Sequence, residues 1–144
     1  MLPNHVETML SLLENADFAN TLVAAIEPQG TFRFPTAIDF ALPADRASVF
    51  REWTDDNSIP LAFAAHTLAM YRRLPHGWRT TPDGQYTDLY MWEQFLAQPD
   101  CRAVSATTPT ILYFPRYWRK ELTTEQKLAE LQTWRARMDA PGWK

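Results

Sequence analysis

Cysteine is nearly absent. Cys101 is the single one in 144 residues, so the chain can form no internal disulfide and no cysteine-based zinc site. That usage is compatible with a reducing, cytoplasmic setting. Glycine is almost as scarce, with four residues, all isolated, which excludes a glycine-rich phosphate loop. The three histidines, His5, His66 and His76, have no zincin spacing, and no nucleophile-elbow pattern is present. Long apolar runs are missing too. Leu22 to Ile26 is too short to cross a bilayer and Ile59 to Ala65 ends at once in His66, so no integral membrane segment is expected. No basic start followed by an apolar stretch and a small-residue cleavage site stands at Met1, so no secretory signal is read. A formal charge of −3 supplies no positive surplus for nucleic acid or an anionic membrane.

What remains is an ordinary globular composition. Hydrophobic residues make up 46% and charged residues 22% of the chain, well away from disorder. The length fits one domain over residues 1–144, able to bury roughly two-thirds of its unfolded surface. Six tryptophans are many for this size. Such side chains suit flat apolar ligand surfaces such as sugar rings, and serve equally as core filler.

Periodicity and punctuation predict an alternation of helices and strands. Asn4 with Glu7 three residues later has the capping-box pattern, and Val6, Met9, Leu10 and Leu13 form an apolar stripe, so a helix is expected over about 5–14. Phe18 to Ile26 reads as a strand, Pro28-Gln29-Gly30 as a turn and Thr31 to Phe34 as a hairpin partner. Ala44 to Trp53 has helical spacing, with Val49, Phe50 and Trp53 on one side, and Thr54 to Ser58 is a polar break. A buried strand over Ile59 to Ala65, a short helix over Thr67 to Leu74 and a loop over Pro75 to Gln85 follow. Asp88 to Ala97 is a helix ended by Pro99, and Cys101 to Val104 and Thr110 to Phe114 read as two short strands. Thr123 with Gln126 is a second capping box, opening a helix whose apolar face is Leu128, Leu131, Trp134 and Met138. The class is mixed α/β.

Candidate site residues concentrate between His66 and Trp92. Asp88 stands at a helix start, where a carboxylate is held by backbone N–H groups; a plain cap accounts for it without chemistry. Trp92 lies one turn further, on the same side of the helix, and is readable as a ligand platform or as a core anchor. Trp78, in the loop, has less packing reason to exist and is the stronger ligand contact. Arg79 beside it is the better of the nearby cations for binding, since Arg72 and Arg73 point apart on a helix and read as a solvated face. His66, after the apolar strand, could hydrogen-bond a ligand hydroxyl or phosphate, or be a satisfied structural histidine. Asp55-Asp56 has the look of a paired-acid metal motif, but the spacing before it is helical and the residues after it are polar, so it is read as a solvated loop.

Taken in order, these segments resemble the acceptor-side half of family 2 glycosyltransferases. Leu2-Pro3-Asn4-His5 and the helix after it are similar to the segment following that family's metal-binding acids, and Asp17-Phe18-Ala19 to the next strand. Asn57-Ser58-Ile59-Pro60 and Tyr71-Arg72-Arg73 match the acceptor-side strand and helix, and Asp88-Leu89-Tyr90-Met91-Trp92 the helix of the catalytic base. Thr87 stands where the family has a second acid. The resemblance implies the C-terminal half of a GT-A fold with the nucleotide-binding half absent. It also implies a nucleotide-sugar donor, a sugar acceptor and inversion, with Asp88 as general base and Trp78, Arg79, His66 and Trp92 around the substrate. Magnesium or manganese with the nucleotide-sugar is expected only if a donor-binding half completes the site, from a second polypeptide or from a homo-oligomer; this chain alone binds no cofactor. A truncated product, a remnant and one part of a split enzyme are the expected origins. The competing expectation is a non-enzymatic α/β module whose aromatic loop binds carbohydrate or protein.

Overall fold

The computed structural model of the chain describes residues 1–34, 38–52 and 59–143, with the backbone alone over 48–52. Among these residues six helices and four strands run in the order α1 (His5–Leu13), β1 (Phe18–Ile26), β2 (Phe32–Arg33), α2 (Pro43–Glu52), β3 (Ala64–His66), α3 (Leu68–Tyr71), α4 (Thr87–Leu96), β4 (Ala103–Tyr113), α5 (Arg116–Arg119) and α6 (Thr124–Met138). The mixed α/β class is as read from the sequence. Among the described residues no helix is long and apolar enough to cross a membrane.

β1 is the hub of the sheet. β4 runs parallel along one of its edges, from Phe18 opposite Ala103 to Ala25 opposite Tyr113. The other edge is shared by two antiparallel strands, β3 at the start, with Phe18 opposite His66, and β2 at the end, with Ile26 opposite Phe32. A strand covered this way is buried almost throughout, which is why its sequence is a near-continuous apolar run and not an alternating one. Asp17 fixes the start of the hub: its carboxylate accepts from the Arg102 guanidinium at 3.0 and 3.1 Å and from the Arg102 backbone N–H at 3.1 Å, while its carbonyl accepts from Thr67 N at 2.9 Å.

The two strands expected around Pro109 are one strand, β4. Proline lacks the N–H that a ladder needs. Here the register between β1 and β4 shifts on either side of the Leu22–Pro109 pair, so the irregularity absorbs the proline and pairing resumes beyond it. The expected strand at 59–65 also differs. Leu61–Phe63 is a single 3-10 turn and only the last residues extend as β3, because Pro60 supplies no N–H for an earlier start.

Packing assigns the helices different roles from those their apolar stripes predict. Phe18 sits against Trp92, Phe95 and Phe40 with ring centroids 5.3, 5.6 and 5.8 Å apart, and all four side chains are fully buried. Burial of this kind contributes about 1.5–3 kcal/mol per large side chain. α1 turns inward with His5 and Met9, leaving Val6 and Leu10 exposed. The inward choice follows from a buried polar chain in which His5 Nδ1 lies 2.7 Å from Thr110 Oγ1 and Thr110 Oγ1 lies 2.6 Å from Thr21 Oγ1. Asn4 makes no side-chain cap on α1. In α6 the capping box forms as read, Gln126 N donating to Thr123 Oγ1 at 3.2 Å and Thr123 N to Gln126 Oε1 at 2.8 Å. Of its predicted stripe, Trp134 is buried and Leu128 and Leu131 are exposed.

Candidate functional site

α4 places the site. Its first turn carries Asp88, the second residue of the helix and not its cap, which is Tyr86. The Asp88 carboxylate is half-buried. One oxygen accepts from Leu61 N at 3.1 Å and the other from the following backbone N–H, Leu89 N, at 3.1 Å. A contact spanning 27 residues of chain therefore ties the turn ahead of β3 to the start of α4.

Trp92, one turn along, is 1% exposed and its indole N–H donates to Ile59 O at 2.9 Å. Its apolar surface is enclosed by the core, so in this structure it is a core anchor, and the substrate-facing position given to it by the resemblance is a correction. The physical reason is the Phe18 cluster, which needs a large ring at this point of α4. Trp78 stands over it edge to face, centroids 5.7 Å apart, and is 42% exposed. The loop tryptophan is thus the accessible member of the pair, held upright by the buried one.

Arg79 is exposed and leans on α4. Its Nε donates to the Tyr90 hydroxyl at 3.2 Å, Nη2 donates to the same oxygen, and the guanidinium lies 5.4 Å from the Tyr90 ring centre. Tyr90 is two residues after Asp88, on a different side of the helix, so Arg79 flanks the Asp88 region and does not meet it. His66 is partly buried and stacks on Phe95 at 4.6 Å and on Tyr71 at 5.4 Å, with Nδ1 3.3 Å from Thr67 O. Burial disfavours its charged form and holds its pKa below the usual histidine value, a contact to Thr67 O opposing the shift. The two stacking contacts give this partly exposed ring a structural task. Arg72 and Arg73 are exposed, and Arg73 pairs with Asp100. The pair Asp55-Asp56 lies outside the described residues.

Three residues belong to the site that the spacing did not single out. The Tyr71 hydroxyl accepts from Trp78 N at 3.4 Å and so links the His66 stack to the exposed indole. Gly77 passes so close to Tyr71 that a Cβ there would stand 3.0 Å from Cζ and nearer still to the hydroxyl. His76 has its Nε2 buried with no hydrogen-bond partner among the described residues. Desolvation first, then the charge on Arg79, holds its pKa down. The glycine and proline content announced a loop here, but nothing local announced that it would fold back on a tyrosine four to seven residues earlier.

The result is a continuous run of contacts, His66–Tyr71–Trp78–Trp92, reaching the helix turn that carries Asp88. It offers a carboxylate, an accessible indole and a guanidinium within one loop-and-helix unit. Among the described residues no three His, Cys, Asp or Glu side chains are grouped to hold a metal ion. No family model, curated protein or solved structure matches the chain.

Proposed function

We propose that the surface around Trp78 and Asp88 receives a sugar acceptor, and that the chain forms the acceptor side of a family 2, GT-A-type glycosyltransferase. The observation that carries the reading is the position of Asp88: a half-buried acid on the first turn of α4, one helical turn from Trp92 and the exposed indole set edge to face against it. In an inverting transfer the acceptor oxygen attacks the anomeric carbon, the bond to the nucleotide diphosphate breaks with its electron pair leaving on the phosphate oxygen, and the acceptor proton passes to a carboxylate. Asp88 is assigned that base role. Trp78 supplies an apolar face for the acceptor ring, and Arg79, braced by Tyr90, is the nearby hydrogen-bond donor.

The divalent ion of that family does not fit the described residues, which provide no converging set of oxygen ligands. No step is assigned to it. In this reading the donor and its metal belong to a second polypeptide.

One observation favours a non-enzymatic reading. Both Asp88 oxygens accept backbone N–H groups, a sufficient structural task for the residue, while Trp78 remains available to bind carbohydrate. Calorimetric titration with mono- and disaccharides tests both readings, and a transfer assay with nucleotide-sugar donors, Mn²⁺ and a cell extract that supplies the donor-binding polypeptide separates them. The transferase reading expects saccharide binding that Trp78→Ala abolishes, together with chain-dependent transfer that Asp88→Asn lowers by about 10²–10⁴-fold. Saccharide binding with no transfer dependent on the chain leaves the binding module. Absence of saccharide binding rejects both.

A further inference from the structure

A separate cleft of about 300 Å³ opens at the far end of the sheet, between the β1–β2 turn and the last two helices. One wall is the turn itself, where Gly30 N donates to Glu27 O at 2.8 Å and Gly30 takes a left-handed φ of 78°. The opposite wall is one face of α6, given by Glu130, Thr133, Trp134 and Arg137 at i, i+3, i+4 and i+7 spacing. Trp118 of α5 closes the floor, its indole N–H donating to Ile26 O at 3.2 Å.

The charges of this cleft are not equivalent. Glu27 is neutralised by Arg33 at 2.8 Å and accepts from the Tyr117 hydroxyl at 2.8 and 3.1 Å. Glu130 is paired with Arg119 at 2.8 Å, both side chains largely covered. The neighbouring Arg135 has its own partner, Asp139, at 3.7 Å. Arg137 has no carboxylate within ion-pair distance among the described residues; its guanidinium lies over the Trp134 ring, 4.7 Å from the centre. The one lining charge left without a counter-ion among those residues is therefore a planar, fork-shaped cation, held over an indole and lining a cavity that a second indole also lines. Guanidinium in that posture suits bidentate contact with a carboxylate or phosphate, and a part-aromatic wall suits an apolar body attached to it.

We infer that this cleft binds a small organic anion, a carboxylate or phosphate carried on a flat apolar group, with Arg137 as the anion contact and Trp118 against the apolar body. The site is distinct from the Asp88 region and does not rest on the glycosyltransferase reading. The full chain is titrated by calorimetry with phenyl phosphate and phenylacetate, with inorganic phosphate and benzyl alcohol as the anion-only and body-only probes, while two-dimensional NMR follows the indole N–H of Trp118. Both organic anions are expected to bind saturably and move that resonance, the two partial probes at least ten-fold more weakly. Arg137→Ala is expected to weaken binding at least ten-fold and Arg135→Ala, which removes the same charge two residues away, to leave it unchanged. Thr133→Tyr, which fills the cleft from the helix wall, should abolish binding with Arg137 intact. Equal binding by the two arginine variants, benzyl alcohol as good as phenyl phosphate, binding that survives Thr133→Tyr, or no saturable binding of either anion overturns the inference.

Discussion

Gly77→Ala puts one methyl group where the structure has least room for it. Gly77 is not among the glycines with a left-handed backbone, so alanine can adopt its conformation, and the reason for glycine is space. The added Cβ would lie 3.0 Å from Tyr71 Cζ and 3.7 Å from Cε1, closer still to the hydroxyl. An exposed tyrosine would swing aside at little cost. Tyr71 is stacked on His66 at 5.4 Å and lies 6.5 Å from Phe95, so its ring resists. Overpacking of this kind costs about 1–3 kcal/mol, offset by about 0.4–1 kcal/mol from the stiffer unfolded chain. The expected net loss is roughly 1–2 kcal/mol, or about 3–10 °C in Tm for a domain of this size. Tyr71→Phe alone loses only a long bond to Trp78 N at 3.4 Å and should cost at most about 0.5 kcal/mol. The double variant removes the closest atom and should recover on the order of 1 kcal/mol relative to the sum of the singles. Urea or thermal denaturation of the four proteins completes the cycle. A Gly77→Ala protein as stable as the parent, or strict additivity in the cycle, refutes the close approach.

Two other outcomes follow from burial. Trp92→Ala should destabilise by about 3–5 kcal/mol, since it empties the ring from the Phe18 cluster and removes the donor to Ile59 O, whereas Trp78→Ala, at a 42% exposed position, should change stability by no more than about 1 kcal/mol; chemical denaturation compares them. For pH, burial is the leading cause that holds His5 and His66 below the ordinary histidine pKa of 6.5. The unfolded chain therefore binds those protons first, so stability present above about pH 6.5 is lost as pH falls toward the lower folded values; His66→Phe, which keeps a ring in the stack, should flatten that decline between denaturation curves at pH 7.5 and 5.5.

Legibility in the sequence tracked how local the cause was. β1 is found over the nine residues predicted, because its apolar content reflects burial on both sides, and the Thr123–Gln126 box marks the start of α6 because both hydrogen bonds lie within four residues. The boundaries of α4 shift by one residue. What sequence periodicity misjudged was which apolar residues would find a partner. Val6, Leu10, Leu128 and Leu131 have the right spacing and are exposed, while His5 and Thr110 are buried because each satisfies the other across 105 residues, a fact no window contains. The site divides in the same way. Trp78 and Asp88 were visible as a loop aromatic and a helix-start acid, but the burial of Trp92 and the stacking of His66 depended on rings contributed by Phe18, Phe95 and Tyr71.

The hub arrangement of the sheet also governs how the chain comes together. Among the described residues every strand pairs with β1 and with no other, and its longest partner begins 85 residues later, Phe18 against Ala103. During synthesis at about 5–20 residues per second, the first strand leaves the ribosome roughly 4–17 s before that partner exists. Throughout that interval its oily surface has only short antiparallel neighbours to shield it, which makes nascent-chain protection, and slow, non-local closure afterwards, intrinsic to this topology.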